Sequence, residues 1–572
     1  MHRILRAFGA LAVLAVAGCV SHERSAAMPA SSAQWDRFVE SFITETFTAR
    51  PHQGVSAGRH EFDGRLPDLS AEGLQREAAR LHAARDRVRA FEETALSREQ
   101  RYEREYVLNE IDATLFWHET MQWPAVNPGY YGWAFDPNVY VSREYAPLAD
   151  RMRAYIAYAK AVPRAAGQAR ANLKTPMPRT YVQLGRILFG GLASFYANDV
   201  PATFAAVADP ALQAQLREAN AGAIAAMKEM DGWFASLEPT ANEGYAIGAA
   251  RFAEMMWATE KVDVSIARLK EIGERDMERN LAALREACAR YAPGKPVAEC
   301  AEKVKAAKPP EGPVAAASRQ LDELRQFIVA RNVVSIPGPE QARVAEAPAY
   351  RRWNAAYINI PGPYEKNLPS TYYIAPPDEK WTPAEQLAYV PGKADLLFIS
   401  VHEVWPGHFL QFLHANRARS KLGRVFTSYA FAEGWAHYTE EMMWEVGLND
   451  GDAATHVGQL LNALLRNARY LSAIGLHTGG MTVAQSEAMF REKAFQDPGN
   501  SRQQAARGTF DPAYGNYTLG KLMIRKLRDD WTAGRGGRAG WQAFHDEFLS
   551  HGSPPIPMIR KVMLGATAGP AL

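Results

Sequence analysis

Five stretches, at about 71–118, 148–171, 205–235, 241–290 and 315–330, are rich in Ala, Leu, Glu and Arg. These residues lose little side-chain freedom in a helix, so the first half of the chain is committed to helical structure. Upstream of them, Trp35, Phe38, Val39, Phe42, Ile43 and Phe47 recur at helical spacing, and that amphipathic helix should end before Pro51. No fixed-period repeat runs through these segments. The stretch Lys305 to Ser318, with Pro309, Pro310 and Pro313, reads as an exposed loop between helices.

The pattern changes near residue 350. Ala356 to Ile360 and Thr371 to Ile374 are short runs of aromatic and β-branched residues bounded by Pro and Gly, which predicts two strands. Helical patterns resume at about 394–415, 426–446, 452–474 and 515–532. The expected fold is mainly α, a large helical body with a central cleft and a small β-sheet just before the richest motif. An exposed strand edge there could hold an extended peptide through main-chain hydrogen bonds. With 572 residues and 47% hydrophobic content, the chain can bury a large core. Its formal net charge of +2 argues against nucleic acid as a partner, because phosphate binding needs a concentrated basic face.

The N-terminus stands apart. Arg3 and Arg6 precede an apolar run from Ala7 to Ala17, too short for a membrane span, which closes on Val16-Ala17-Gly18-Cys19. That order resembles the lipobox of bacterial lipoproteins. The resemblance implies cleavage of a signal peptide at 1–18, lipidation of Cys19 and an exported, periplasm-facing body. Val20, not aspartate, would direct the anchor to outer-membrane lipid. The expected organisation is a flexible tether at 19–33, an N-terminal helical region at 34–340 and a metal-binding region at 341–572, the last two forming one continuous body. Cys288 and Cys300 then remain, and the turn Pro293-Gly294-Lys295-Pro296 between them could bring them into a disulfide.

The chemistry is concentrated in His402-Glu403-Val404-Trp405-Pro406-Gly407-His408. In a His-Glu-x-x-His zinc helix, two ligands four residues apart share a face and the glutamate is general base. Here the histidines are six apart, which puts them about 120° apart on a regular helix. Two ligands of one ion cannot be arranged so. Pro406 excludes a helical hydrogen bond to the His402 carbonyl, and Gly407 tolerates unusual backbone angles. The helix must therefore open at Pro406-Gly407 if His408 is a ligand. Downstream, Glu433, His437 and Glu440 fall at i, i+4 and i+7, a polar stripe in an apolar aromatic segment. Glu433 is the expected third ligand of a single zinc ion, and His437 or Glu440 would accept a hydrogen bond from a ligating histidine.

His-Glu-Val-Trp-Pro-Gly-His with Glu433-Gly434-Trp435-Ala436 resembles the bacterial family DUF885, whose pattern is His-Glu-x-x-Pro-Gly-His followed by Glu-Gly-Trp-Ala. Further similarity lies in Pro51 to Asp68, in Ile474 to Thr478 and from Phe548 to Pro554. The resemblance implies a mainly helical, gluzincin-like fold, with His402, His408 and Glu433 as ligands and Glu403 as base. There are departures. His437 stands where an aliphatic residue is expected, Ala473 where an acid is expected, and Asp511 to Lys521 matches loosely, with Tyr514 and Tyr517 as candidates for the family tyrosine.

The function expected on these grounds is zinc-dependent hydrolysis of peptide bonds in short peptides. His477 and Tyr517 are the candidates for stabilising the oxyanion. Arg466, Arg469, Arg507, Lys521 and Arg525 crowd the same region. One of them, with Arg507, Lys521 and Arg525 as candidates, could clamp a substrate carboxylate and make the enzyme an exopeptidase such as a carboxypeptidase. The competing readings are a metal-dependent esterase or amidase on small molecules, and a lipid-anchored binding protein with a structural metal site. Nothing in the sequence bears on oligomeric state.

Overall fold

Capping residues set the helix boundaries that composition alone leaves vague. The computed structural model describes residues 32–347, 352, 355–379, 381–565 and 568–572. The signal segment 1–18, with Arg3, Arg6 and Cys19, lies outside the described residues, as does the tether as far as residue 31. The first helix, Ser32–Ala49, already includes the last two residues of that tether and stops before Pro51, burying Trp35, Phe38, Phe42 and Phe47. The run at 71–118 is two helices, Ala71–Arg89 and Arg98–Leu115. Ser97 starts the second with a capping box, its side chain accepting from the Gln100 amide while Gln100 reaches back to the Ser97 backbone. In the same way 241–290 divides into Ala249–Glu260 and Ile266–Tyr291, the latter capped by Ser265.

The proline-rich loop is shorter than the sequence suggests. Val297–Ala306 is helical, and Pro313 opens the helix Pro313–Arg331, because a proline in the first turn forfeits no hydrogen bond. Cys288 and Cys300 are joined by a disulfide across the intervening turn, with Cα atoms 5.8 Å apart. Helices at Arg179–Phe204, Val483–Lys493 and Pro498–Phe510 also lie outside the stretches picked out by composition.

Both expected strands form, and a third joins them. In the sheet β1 (Ala342–Glu346), β2 (Ala356–Asn359) and β3 (Ser370–Ile374), the order is β1-β3-β2, with β1 parallel and β2 antiparallel to the central β3. β3 is the most buried strand, with Tyr372 fully enclosed. Apart from this sheet the architecture is mainly helical. One apolar core runs from Phe116 to Val334 and on from Tyr372 to Ile559. A second gathers the helices between Trp35 and Tyr245, with Leu422, Phe426, Leu476 and Met558 packed into it. Both cores draw on residues from either side of position 340. Among the described residues, no helix is long and apolar enough to cross a membrane.

Four helices position the motif residues. The histidine helix (Lys393–Glu403) packs on the glutamate helix (Tyr429–Glu445) and on the arginine helix (Ala453–Thr478). The tyrosine helix (Asn516–Thr532) packs along the glutamate helix. At that crossing Gly434 meets Gly520 so closely that a Cβ on Gly520 would lie 1.9 Å from the Ala430 carbonyl oxygen. The glutamate helix is buried almost all round, as expected of a helix at the centre of a large body.

Candidate metal centre

The helix opens where the histidine spacing requires it. The histidine helix ends at Glu403, and a new helix, His408–Ala415, begins at the second histidine. Between them the Trp405-Pro406 peptide is cis, and the Gly407 amide donates to the Val401 carbonyl at 3.0 Å. Gly407 is required by close approach: a Cβ there would lie 1.8 Å from the His402 carbonyl oxygen. The indole of Trp435, itself wholly buried, donates to the Pro406 carbonyl at 2.8 Å and fixes the turn from below. The ring centroids of His402 and His408 are consequently 4.8 Å apart.

Glu433 completes a triangle with them. Its Oε2 lies 3.4 Å from His402 Nε2 and 3.3 Å from His408 Nε2, yet this buried oxygen takes part in no hydrogen bond. Three ligand atoms this close together, with no well-aligned hydrogen bond to Glu433 Oε2, are what a metal site looks like from its protein side. The edge of a tetrahedron of ligands about 2.0–2.1 Å from zinc is about 3.3 Å, so both contacts have the spacing of adjacent ligands. Two imidazoles and a carboxylate suit zinc chemically as well. His402, His408 and Glu433 are the group of metal-capable side chains found among the described residues, all within 4.8 Å of one another.

A supporting layer lies behind the triangle. His402 Nδ1 is 2.7 Å from Glu440 Oε1, and Glu440 Oε2 is 3.2 Å from His437 Nδ1. Arg466 Nη2 stands 3.2 Å from Glu440 Oε1. Glu440 and His437 are fully buried. Burial disfavours the Glu440 carboxylate, but Arg466 and the two histidines outweigh it and hold its pKa well below the usual range. Burial likewise opposes a charged His402, while Glu433 and Glu440 on its two sides raise it to about 9. His437 is pushed down to about 4 by burial, against the pull of Glu440.

Glu403 is half-buried next to His402 in the chain and makes no hydrogen bond or ion pair with any described residue. Burial raises its pKa, partly offset by the neighbouring His402 and His408. Tyr517 comes to the site along the tyrosine helix, its ring 6.2 Å from that of His402 and nearly parallel to it. Tyr514 is instead fully buried.

Each of the remaining candidates is engaged by partners of its own. His477 is buried, its Nε2 2.7 Å from the Gly508 carbonyl and its ring against Phe252 and Tyr245. Lys521 is wholly buried and held by Asp276 at 2.7 Å and Glu441 at 3.3 Å. Arg525 pairs with Glu441 at 2.9 Å. Arg507 pairs with Asp511 at 3.0 Å and donates to the Tyr429 hydroxyl at 2.9 Å. Sequence reasoning missed the tie from Trp435 to Pro406, the Gly434–Gly520 crossing and the role of Arg466 behind Glu440. The glycine in Glu433-Gly434-Trp435, a poor helix former in mid-helix, was the available signal for the crossing.

A family model described as "Bacterial protein of unknown function (DUF885)" matches residues 51–563, and the chain belongs to that family. No curated protein matches it. Among solved structures, the fold is similar to that of a protein from Shewanella oneidensis described as a lipoprotein of unknown function. The two are 22% identical, with a TM-score of 0.76 over 93% of this chain and 99% of the other. It is also similar to a protein from Colwellia psychrerythraea described as a lipoprotein, 16% identical, with a TM-score of 0.77 over 93% of this chain and 98% of the other.

Proposed function

We propose that this member of the DUF885 family is a zinc-dependent peptidase with a gluzincin-like centre. His402, His408 and Glu433 hold one zinc ion, and Glu403 is the general base. The observation that carries this reading is the buried Glu433 Oε2, without a hydrogen bond, 3.4 and 3.3 Å from the two histidine Nε2 atoms. Zinc in such a site polarises the substrate carbonyl and brings the pKa of a bound water toward neutrality.

The chain's own groups divide the remaining work. Glu403, adjacent in sequence to His402 and without a competing partner, takes the proton from the attacking water and delivers it to the leaving amine, so the peptide bond breaks with no net proton change at the enzyme. Glu440 accepts the His402 Nδ1 proton, which fixes the tautomer that leaves Nε2 free for the metal. The Tyr517 hydroxyl, on a ring beside His402, is the donor available to the oxyanion. The likeness to proteins described as lipoproteins, together with the run Val16 to Cys19, supports export, with a lipid anchor at Cys19 in the outer membrane.

The direct test is to purify the chain from Ser21 onward and measure bound zinc and hydrolysis of short peptides. Glu403→Gln is expected to retain zinc and lose turnover. Full activity in that variant would remove Glu403 from the mechanism, and esterase activity without peptidase activity would change the bond that is cut.

A further inference from the structure

Three arginines gather around Tyr517, and two of them are neutralised. Arg466 faces Glu440 at 3.2 Å, and Arg507 pairs with Asp511 at 3.0 Å. The third, Arg469, is only 9% exposed, and no carboxylate pairs with it among the described residues. Its Nε donates to Gln504 Oε1 at 2.8 Å, and its Cζ stands 4.8 Å from the centroid of the Tyr517 ring. Both contacts orient the guanidinium without cancelling its charge. Nη1 and Nη2 make no hydrogen bond to any described residue, so both terminal nitrogens of the planar fork remain available.

An unpaired buried cation is costly to maintain, and burial pulls the Arg469 pKa below its ordinary value. The same Tyr517 ring lies 6.2 Å from the His402 ring, so this uncompensated charge and the candidate metal centre adjoin one aromatic side chain.

We propose that Arg469 is the anchor for the C-terminal carboxylate of the substrate, which makes short peptides with a free C-terminus the substrate class. This rests on the peptidase reading above. A guanidinium binds a carboxylate through two parallel N–H···O bonds, a geometry that lysine cannot reproduce. Gln504 and Tyr517 hold the fork in place before the ligand arrives, which reduces the ordering cost of binding. A carboxylate held there lies beside the ring that also adjoins His402.

The test uses zinc-loaded protein carrying Glu403→Gln, so that binding can be read by calorimetry without turnover. The probes are N-acetyl-trialanine as the free acid, its C-terminal amide, and an amidated N-acetyl-Ala-Ala-Glu. The free acid should bind at least about 10-fold more tightly than either amide, since hydrogen bonds to a charged partner are the stronger class. Adding Arg469→Met should erase that preference, and Arg469→Lys should restore only part of it. Equal binding of acid and amide by the protein that retains Arg469 would overturn the proposal, and that comparison needs no folded Arg469 variant. A preference that survives Arg469→Met, or one that follows the glutamate side chain, would overturn it too. The two readings fail separately: hydrolysis of acid and amide alike by the wild type sinks the anchor and spares the peptidase. Arg469-dependent binding of the acid without any hydrolysis spares the anchor and sinks the peptidase.

Discussion

Glu440 Oε1 lies 2.7 Å from His402 Nδ1, while the other oxygen of the same carboxylate lies 3.2 Å from His437 Nδ1. A single buried acid thus sets the orientation of the first histidine of the motif. Glu440→Gln keeps the shape but removes the charge and leaves one acceptor oxygen where the carboxylate offers two, one to each histidine. Zinc affinity should fall roughly 10–100-fold, the usual cost of losing a partner behind a metal-ligating histidine. A competition titration against a chelator measures it, with circular dichroism showing the helices retained. Unchanged affinity would mean that Glu440 has no part in holding the metal.

Gly407→Ala should separate the two histidines. The added Cβ would fall 1.8 Å from the His402 carbonyl oxygen, so the turn must open or the helix must shift. The expected result is loss of stoichiometric zinc with a destabilisation of about 1–3 kcal/mol, typical of overpacking. Zinc content by atomic emission and a urea titration would report the two effects separately.

At the helix crossing, Gly520→Ala would press a methyl group to within 1.9 Å of the Ala430 carbonyl oxygen. The glutamate and tyrosine helices must move apart, carrying Tyr517 away from His402. Stability should drop by about 1–3 kcal/mol, and peptide turnover should fall further than zinc binding. Unchanged turnover at full zinc occupancy would exclude Tyr517 from the reaction.

His60 ties the N-terminal segment to the loop after β2. Its ring stacks on Tyr145 at 3.6 Å, with Asp63 at 3.1 Å and Glu365 at 3.3 Å from its two nitrogens. Burial opposes its charge, but the two carboxylates raise its pKa to about 9. The folded-state value thus exceeds the unfolded value of about 6.5. The stabilisation is therefore complete below about pH 6.5 and is lost as pH rises through about 9. The difference in melting temperature between wild type and His60→Gln should shrink between those limits. A difference that grows with pH would contradict the assignment.

Much of the centre is legible in the sequence because its geometry is local. The six-residue histidine spacing and Pro406-Gly407 together demand a broken helix, and Glu433 and Glu440 share a face by periodicity alone. Residues whose meaning depends on distant partners are not legible. Lys521 reads as an available cation, but its counter-ion Asp276 lies 245 positions away, and the pair is sealed in the core. His477 reads as a catalytic candidate, yet its ring is bonded to the Gly508 carbonyl. Arg469 is the converse case: nothing in its local sequence reveals that it lacks a carboxylate partner. In the fold, β1 is not legible because Ala342–Glu346 carries an arginine and a glutamate on its exposed positions, and its place is set by pairing with β3. The helix breaks at Ser97 and Ser265 come from caps, which composition over long windows averages away.

The most direct measurement is a crystal structure of zinc-loaded protein with anomalous data collected at the zinc edge. One peak is expected, with His402 Nε2, His408 Nε2 and Glu433 Oε2 at about 2.0–2.2 Å and a fourth position open to water. No peak between these three residues, or a zinc ion closed off by a fourth protein ligand such as His437, would contradict it.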